Sequence, residues 1–484
     1  MSRSILHVSD LHRSPTEPIN NDELISTLVA DRDRYMAEEP AVPAPEAVVV
    51  SGDLIQGAGP YASDPDAEIR EQYEVAVEFL RRLADRFAEG DRARVVVVPG
   101  NHDVAWSVAR AAMKPVPADK VPADLGPAAF GPSSDLRWSW KERGLYRIVD
   151  RSLYERRFHH YTSALDDFYA GVAPACDPAA YYRLFELFDG RVGVAAFNSC
   201  DGNDCFSFHG HIPQSAVARA HMELHDRAAG YDLLMAVWHH SIEGAPDASD
   251  YMDVEVVHAL IGKGFRFGLH GHQHRAEAST RYIHLPDQVP MAVVSAGSLC
   301  AGARELPTGI SRQYNVIEFD DDFTSARVHV REMAVATVFA PAIRPQFGGR
   351  SYVDLNLGAD PMKTLASRLS REGAAVADAE RAIAAGRLEE AAKSLAALRP
   401  LPGSYPRSLL VQTINDGGLW EAAGALIGDP ANADELAALA RAHAETGKYT
   451  EALALLDAAD RVGMSKAAAG DLRGWIVAKK EMGP

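Results

Sequence analysis

Five times in the first two-thirds of this 484-residue chain, a short apolar run ends directly in residues able to bind a metal or carry a proton. Ile5–Val8 runs into Ser9-Asp10-Leu11-His12, Ala47–Val50 into Ser51-Gly52-Asp53, and Val95–Val98 into Pro99-Gly100-Asn101-His102-Asp103. Leu233–Val237 runs into Trp238-His239-His240, and Phe265–Leu269 into His270-Gly271-His272-Gln273-His274. Runs of four or five apolar, often β-branched residues bounded by Gly, Pro or Asp read as buried strands. Helical patterns separate them at about Asn21–Glu38, Glu68–Glu89, Gln214–Ala228 and Val254–Leu260. Strand–helix alternation predicts a layered α/β domain whose functional groups sit on loops beyond the strand ends.

Further strand-like runs, Met291–Ser295, Gln313–Phe319 and Ala326–Met333, lack long helices between them and predict an antiparallel finish to a sheet. Tyr181–Leu187 and Arg191–Asn198, joined at Asp189-Gly190, read as a hairpin. Val104–Ala180 follows no recurring pattern and is expected to be a mostly helical insertion. Beyond Met333, the stretch Phe339–Tyr352 carries Pro341, Pro345 and Gly348-Gly349, which suits a linker or surface strap. From Lys363 the chain is rich in Ala, Leu and Glu. A G-x-[LY]-x-E-A phrase starts at Gly386, Gly417 and Gly447, about 30 residues apart, resembling the tetratricopeptide repeat with its ~34-residue period. The competing reading is an unspecialised helical bundle with Ala-rich packing. The expected organisation is a catalytic domain over 1–338, a linker over 339–362 and an all-α, tetratricopeptide-like region over 363–484.

Taken singly, Asp10-x-His12 reads as a turn with a helix cap, and Asn101-His102-Asp103 as ordinary turn chemistry. Five such loops on one rim point to metal chemistry. Two divalent cations held close together need several N and O ligands and a carboxylate to bridge them. Mixed His, Asp and Asn ligation suits Mn, Fe or Zn better than Ca or Mg. Hydroxide generated between two such ions can attack phosphorus in line.

In order and in position at strand ends, Asp10-x-His12, Gly52-Asp53, Gly100-Asn101-His102-Asp103, His239-His240 and Gly271-His272-x-His274 resemble the five signature blocks of the calcineurin-like metallophosphoesterases. The resemblance covers about residues 4–335 outside the insertion. It implies a layered β-sandwich flanked by helices and a phosphoesterase with two divalent ions. By position it assigns Asp10, His12 and His274 to one ion and Asn101, His239 and His272 to the other, with Asp53 bridging. His102 matches the residue that contacts phosphate and protonates the leaving oxygen; Asp103 either orients it or caps the next helix. The fourth block commonly reads His-His-Pro or His-Ser-Pro, whereas here Ser241 stands third. His239 is favoured as the ligand, with His240 behind it or against substrate. His7, His159-His160 and His209-Gly210-His211 receive structural or solvated readings.

Substrate class rests on weaker signals. Between Arg137 and Arg157 stand Arg137, Lys141, Arg143, Arg147, Arg151, Arg156 and Arg157 against Glu142, Asp150 and Glu155, with Trp138, Trp140, Tyr146 and Tyr154 interleaved. Cations for phosphate and rings for stacking suit a nucleotide or a single strand; the alternative is an amphipathic helical hairpin with buried rings. Arg143, Arg147, His240 and Asn198 are the candidate substrate contacts. The formal charge of −18 opposes duplex coating. A nucleotide or cyclic-nucleotide phosphodiesterase is therefore expected ahead of a recombination-repair-type nuclease or a repeat scaffold with a vestigial phosphoesterase. A protein partner or self-association through the helical repeats is a further expectation. Cys176, Cys200, Cys205 and Cys300 lack zinc-finger or CxxC spacing. With no signal-peptide core at the start and no membrane span, a reducing cytoplasmic setting is expected.

Overall fold

A computed structural model describes residues 3–16, 19–122, 125, 127–131, 134–173, 177–227, 230–243, 250–282, 290–302, 305–335, 337–358, 373, 376–396 and 404–482. Cys176 and the predicted start of the helical region at Lys363 lie outside these residues. The chain divides into two units, Met1–Pro361 and Met362–Pro484.

In the first unit, β1 (Arg3–Val8), β2 (Ala47–Val50) and β3 (Val95–Val97) pair in parallel, and β13 (Gln313–Phe319) and β14 (Ser325–Val335) extend the sheet antiparallel from β1. A second sheet runs β11 (Glu277–Tyr282), β12 (Pro290–Ser295), β10 (Phe267–His270), β9 (Leu233–Val237), β8 (Val192–Phe197), β7 (Tyr182–Leu187). Its four central strands are mutually parallel. Period-two geometry sorts their side chains. Leu233, Met235 and Val237 of β9 and Phe267 and Leu269 of β10 join the core shared with the first sheet, where Phe267 meets Phe319 at 5.3 Å. Ala236, Trp238, Met291 and Val293 face the other way, under α6 (Gln214–Arg227) and α7 (Val254–Gly262). The first sheet is covered by α1 (Asn21–Arg32) and α2 (Pro65–Phe87), which contribute Leu24, Leu28, Phe79 and Leu83 to the core. The result is the predicted α/β sandwich flanked by helices. Among the described residues no helix is long and apolar enough to cross a membrane.

A buried ionic knot fastens α1 to β14. Arg331 donates to Asp31 at 2.6 and 2.8 Å and to Glu38 at 2.6 and 2.8 Å, and the Tyr314 hydroxyl also donates to Asp31. Arg331 and Asp31 are fully buried. Arg331→Ala removes two charged bonds from buried Asp31, which keeps Arg34 at 2.5 Å and the Tyr314 hydroxyl, and the expected cost is about 2–3 kcal/mol in urea unfolding; a change below ~1 kcal/mol would show the knot to be dispensable.

Two segments differ from the sequence expectation. The insertion contains a three-stranded antiparallel sheet, β4 (Met113–Pro115), β6 (Gly144–Ile148) and β5 (Leu136–Ser139), beside α3 (Trp106–Ala111), α4 (Arg151–Glu155) and α5 (His159–Phe168). The aromatic and β-branched residues around the tight turn at Arg143-Gly144 fit a pleated sheet better than a helix, and Arg143 takes the left-handed conformation (φ 51°). The predicted linker carries β15 (Val338–Pro341) and β16 (Tyr352–Asn356), which pair end to end along β14. Its Pro and Gly residues mark the turn between those strands.

In the second unit, helices span residues 376–384, Leu388–Ala396, Ser404–Gly417, Ala423–Ile427, Ala433–Glu445, Tyr449–Leu455 and Lys466–Met482. Gly386 and Gly447 stand in left-handed turns (φ 73° and 76°) just before helices, and Ala391 and Ala452 of the same phrases are fully buried.

Candidate metal centre

Parallel pairing puts the C-terminal ends of β1, β2 and β3 on one edge of their sheet, and likewise those of β8, β9 and β10. The predicted loops leave from these ends, and their backbones are strained. Asp10, His12, Asp53, His272 and His274 all have positive φ, at 51°, 43°, 51°, 75° and 53°. Left-handed backbone at non-glycine residues costs on the order of 1–3 kcal/mol each and gathers where function requires it. The loops are also tightly nested. A Cβ on Gly100 would lie 2.0 Å from Asp53 Oδ1, and one on Gly52 would lie 2.4 Å from His239 Nδ1, so only glycine fits either place.

The side chains form two adjoining groups. In one, His274 Nε2 lies 3.3 Å from Asp10 Oδ1 and 3.3 Å from His12 Nε2. In the other, Asn101 Oδ1 lies 3.1 Å from His239 Nε2 and 3.0 Å from His272 Nδ1, and those two nitrogens are 3.2 Å apart. Asp53 Oδ2 belongs to both, 3.9 Å from His12 Nε2 and 3.3 Å from His239 Nε2. The other Asp53 oxygen is occupied by the His102 amide at 2.9 Å. The donor set fits divalent ions. An ion with bonds of about 2.1 Å spaces adjacent ligands roughly 3.0–3.4 Å apart. Asp10 Oδ1 is moreover buried, with no hydrogen bond of normal geometry and His274 Nε2 facing it at 3.3 Å. Surrounding carbonyls aim the rings: His239 Nδ1–H donates to Ser51 O at 2.8 Å, and His274 Nδ1–H to Glu305 O at 2.9 Å. A carbonyl only accepts, so in both rings Nε2 is the nitrogen turned to the cluster.

The sequence matches the calcineurin-like phosphoesterase family over residues 3–276, more than half of the chain. The chain belongs to that family. It is thus a hydrolase of phosphoric esters, in a family served by divalent metals. No curated protein matches the chain. Among solved structures it is similar to GAP50, the anchor in the inner membrane complex of Plasmodium, at 8% identity over 74% of this chain and 89% of that one (TM-score 0.32). It is also similar to the calcineurin-like phosphoesterase YfkN from Bacillus subtilis, at 13% identity over 74% and 91% (TM-score 0.29). The 5'-nucleotidase from Candida albicans SC5314 matches at 12% identity over 65% and 47% (TM-score 0.30).

In this phosphoesterase, burial opposes charge on Asp53, yet His239, His102 and His12 hold its carboxyl well below the usual range. Burial likewise opposes charge on His239 and His274, but Asp53 raises the first to about 9, and Asp10 raises the second to about 8. Without metal, both rings are therefore protonated at neutral pH, and an ion must displace those protons. Metal affinity is expected to rise with pH and level off above about 9. Calorimetry at pH 7 in buffers of different ionisation enthalpy should find about two protons released per chain on metal loading; release of none would contradict this ring assignment.

The remaining predicted residues take distinct places. His102 Nδ1–H donates to Gln56 O at 2.7 Å, and its ring stands edge-on to His12 at 4.8 Å. Asp103 accepts from Gly100 N at 2.8 Å, Leu54 N at 3.1 Å and the Tyr73 hydroxyl at 3.0 Å, so its carboxylate ties two ligand loops to α2. Burial, aided by Asp53, lifts its pKa to about 7. Buried His240 spends both nitrogens. The Ser199 oxygen accepts from the His239 and His240 amides, which leaves its own hydrogen for His240 Nδ1 at 2.9 Å. His240 Nε2–H then donates to Asn203 Oδ1 at 3.1 Å. Such a ring supports the loop and has no nitrogen left for an ion.

Asn198 lies outside the cluster, its Oδ1 accepting from Cys200 N at 2.8 Å. Arg143 and Arg147 are exposed on the small sheet, and among the described residues neither bonds to a cluster residue. Arg137 and Arg157 of the same basic stretch are buried and spent internally. Arg137 pairs with Asp204 at 2.6 Å, and Arg157 donates to Asn203 O at 3.1 Å, anchoring the insertion to the loop that holds His240. Sequence reasoning missed Ser199, Asn203 and Asp250, whose Oδ2 lies 3.5 Å from His272 Nε2. Ser199 follows the end of β8, as the other site residues follow their strands, and that positional rule could have found it.

Proposed function

We propose that this phosphoesterase hydrolyses a phosphodiester of a nucleotide or cyclic nucleotide, with Mn(II) as the preferred ion for assay and Fe or Zn as alternatives. The observation that carries the two-ion hydrolytic reading is the single Asp53 oxygen shared by two groups of N and O donors. Ions bound there would lower the pKa of a water and spread charge on phosphoryl oxygens. His102 would supply the acid as an imidazolium: its Nδ1–H is held by Gln56 O, and the Nε2 proton is the one free to pass to the leaving oxygen, which leaves the ring neutral. Support for a substrate with a ring comes from Trp106, 6.1 Å from His102, and Phe208, 5.5 Å beyond it and exposed at the surface. Stacking on such rings is worth about 1–3 kcal/mol per base.

A second reading, a nuclease, is favoured by the hairpin tip where Trp140 is 84% exposed and Lys141 lies over the Tyr61 ring at 4.8 Å. Hydrolysis of bis-p-nitrophenyl phosphate, p-nitrophenyl phosphate, 2′,3′- and 3′,5′-cyclic nucleotides and a labelled single strand in Mn(II) separates the two. Diester preference with cyclic-nucleotide turnover supports the first reading; strand cleavage with steep salt dependence supports the second. Turnover of none of them, with two ions bound, would favour a narrow substrate or gating by a partner on the helical repeats.

A further inference from the structure

Outside the described centre, a second group of metal-capable side chains meets where the insertion touches the core. Asp66, in the first turn of α2, and His159 and His160, which open α5, bring one carboxylate oxygen and two imidazole nitrogens within 4.8 Å of one another. His160 is buried, and its Nε2 lies 3.1 Å from Asp66 Oδ1. The two rings stand with centroids 3.7 Å apart. His159 Nδ1–H donates to Arg156 O at 2.8 Å, which leaves Nε2 as its bare nitrogen. A backbone carbonyl thus fixes this ring in the way that Ser51 O and Glu305 O fix His239 and His274.

We propose that Asp66, His159 and His160 form a separate, peripheral site for a borderline divalent transition ion such as Zn(II), Co(II) or Ni(II). Two imidazoles and one carboxylate are the donor set such ions favour, and water completes the coordination. Burial lowers the pKa of His160, which keeps its ring in the neutral, ligating form at pH 7. Arg70 is the opposing cation, acting on both Asp66 and His160, and it makes the site weaker than the paired centre. An ion held here ties α5, and with it the insertion, to α2. The role is structural and does not depend on which ester the enzyme cleaves.

The test counts ions on the full-length protein after equilibrium dialysis against Zn(II) at pH 7.5. The paired His159→Ala, His160→Ala variant is expected to hold one ion fewer per chain than wild type while its phosphoesterase activity in Mn(II) is unchanged, which also certifies its fold. Asp66→Asn is expected to weaken the same ion at least tenfold with activity again retained. Equal ion counts in wild type and the double-alanine variant would overturn the proposal. So would loss of two or more ions together with activity, because the count would then report the paired centre.

Discussion

Asp53→Asn is expected to lower kcat/KM by at least ~10³-fold, about 4 kcal/mol of lost transition-state stabilisation, and to reduce bound metal at both positions together. The reason is geometric. Asp53 Oδ2 lies 3.9 Å from His12 Nε2 in one donor group and 3.3 Å from His239 Nε2 in the other. An amide at that position can offer one neutral oxygen or one nitrogen, and neither carries the charge that two cations share. The fold should survive, since the other oxygen can keep its bond to the His102 amide. Metal analysis beside steady-state kinetics checks the prediction. Full activity with two ions bound would refute Asp53 as the shared ligand.

His102→Ala should act differently. Its Nδ1 is committed to Gln56 O, its ring meets His12 edge to face, and it stands within 4.8 Å of the ligand atoms of His12 and Asp53, at the rim of the first group. Metal content should stay at the wild-type level. General-acid catalysis is worth typically ~10²–10⁴-fold, and the loss should be greatest for esters with alkoxide leaving groups. A p-nitrophenolate leaves without help, so its diester should slow least. The informative quantity is the slope of log kcat against leaving-group pKa, which should steepen in the variant. An equal loss across all leaving groups, or departure of a metal, would remove His102 from the acid role.

Other parts of the candidate centre were legible to different degrees. The five loops were visible because a short buried strand is an apolar run with abrupt polar ends, and a parallel sheet exposes functional groups at those ends. The insertion's sheet was missed because β4, β5 and β6 are three to five residues long, too short to show alternation above the surrounding helix-compatible residues. The basic stretch misled for a related reason. A count of arginines cannot separate Arg143, which is exposed, from Arg137, which is buried against Asp204 some 67 positions away.

Sequence by itself determined the α/β class, the loops that bring the candidate ligands together, and the resemblance that names those residues, because local hydrophobic patterning and residue type are written in consecutive positions. Tertiary structure alone decided that one oxygen of Asp53 faces both donor groups while the other holds a backbone amide. It also decided that His240 bonds through both nitrogens, and that the Asp103 carboxylate accepts from Gly100, Leu54 and Tyr73. Those outcomes depend on which carbonyls, amides and hydroxyls from distant strands close around each polar atom once it is buried. A buried donor or acceptor must find its partner in space, and that partner is rarely its neighbour in the chain.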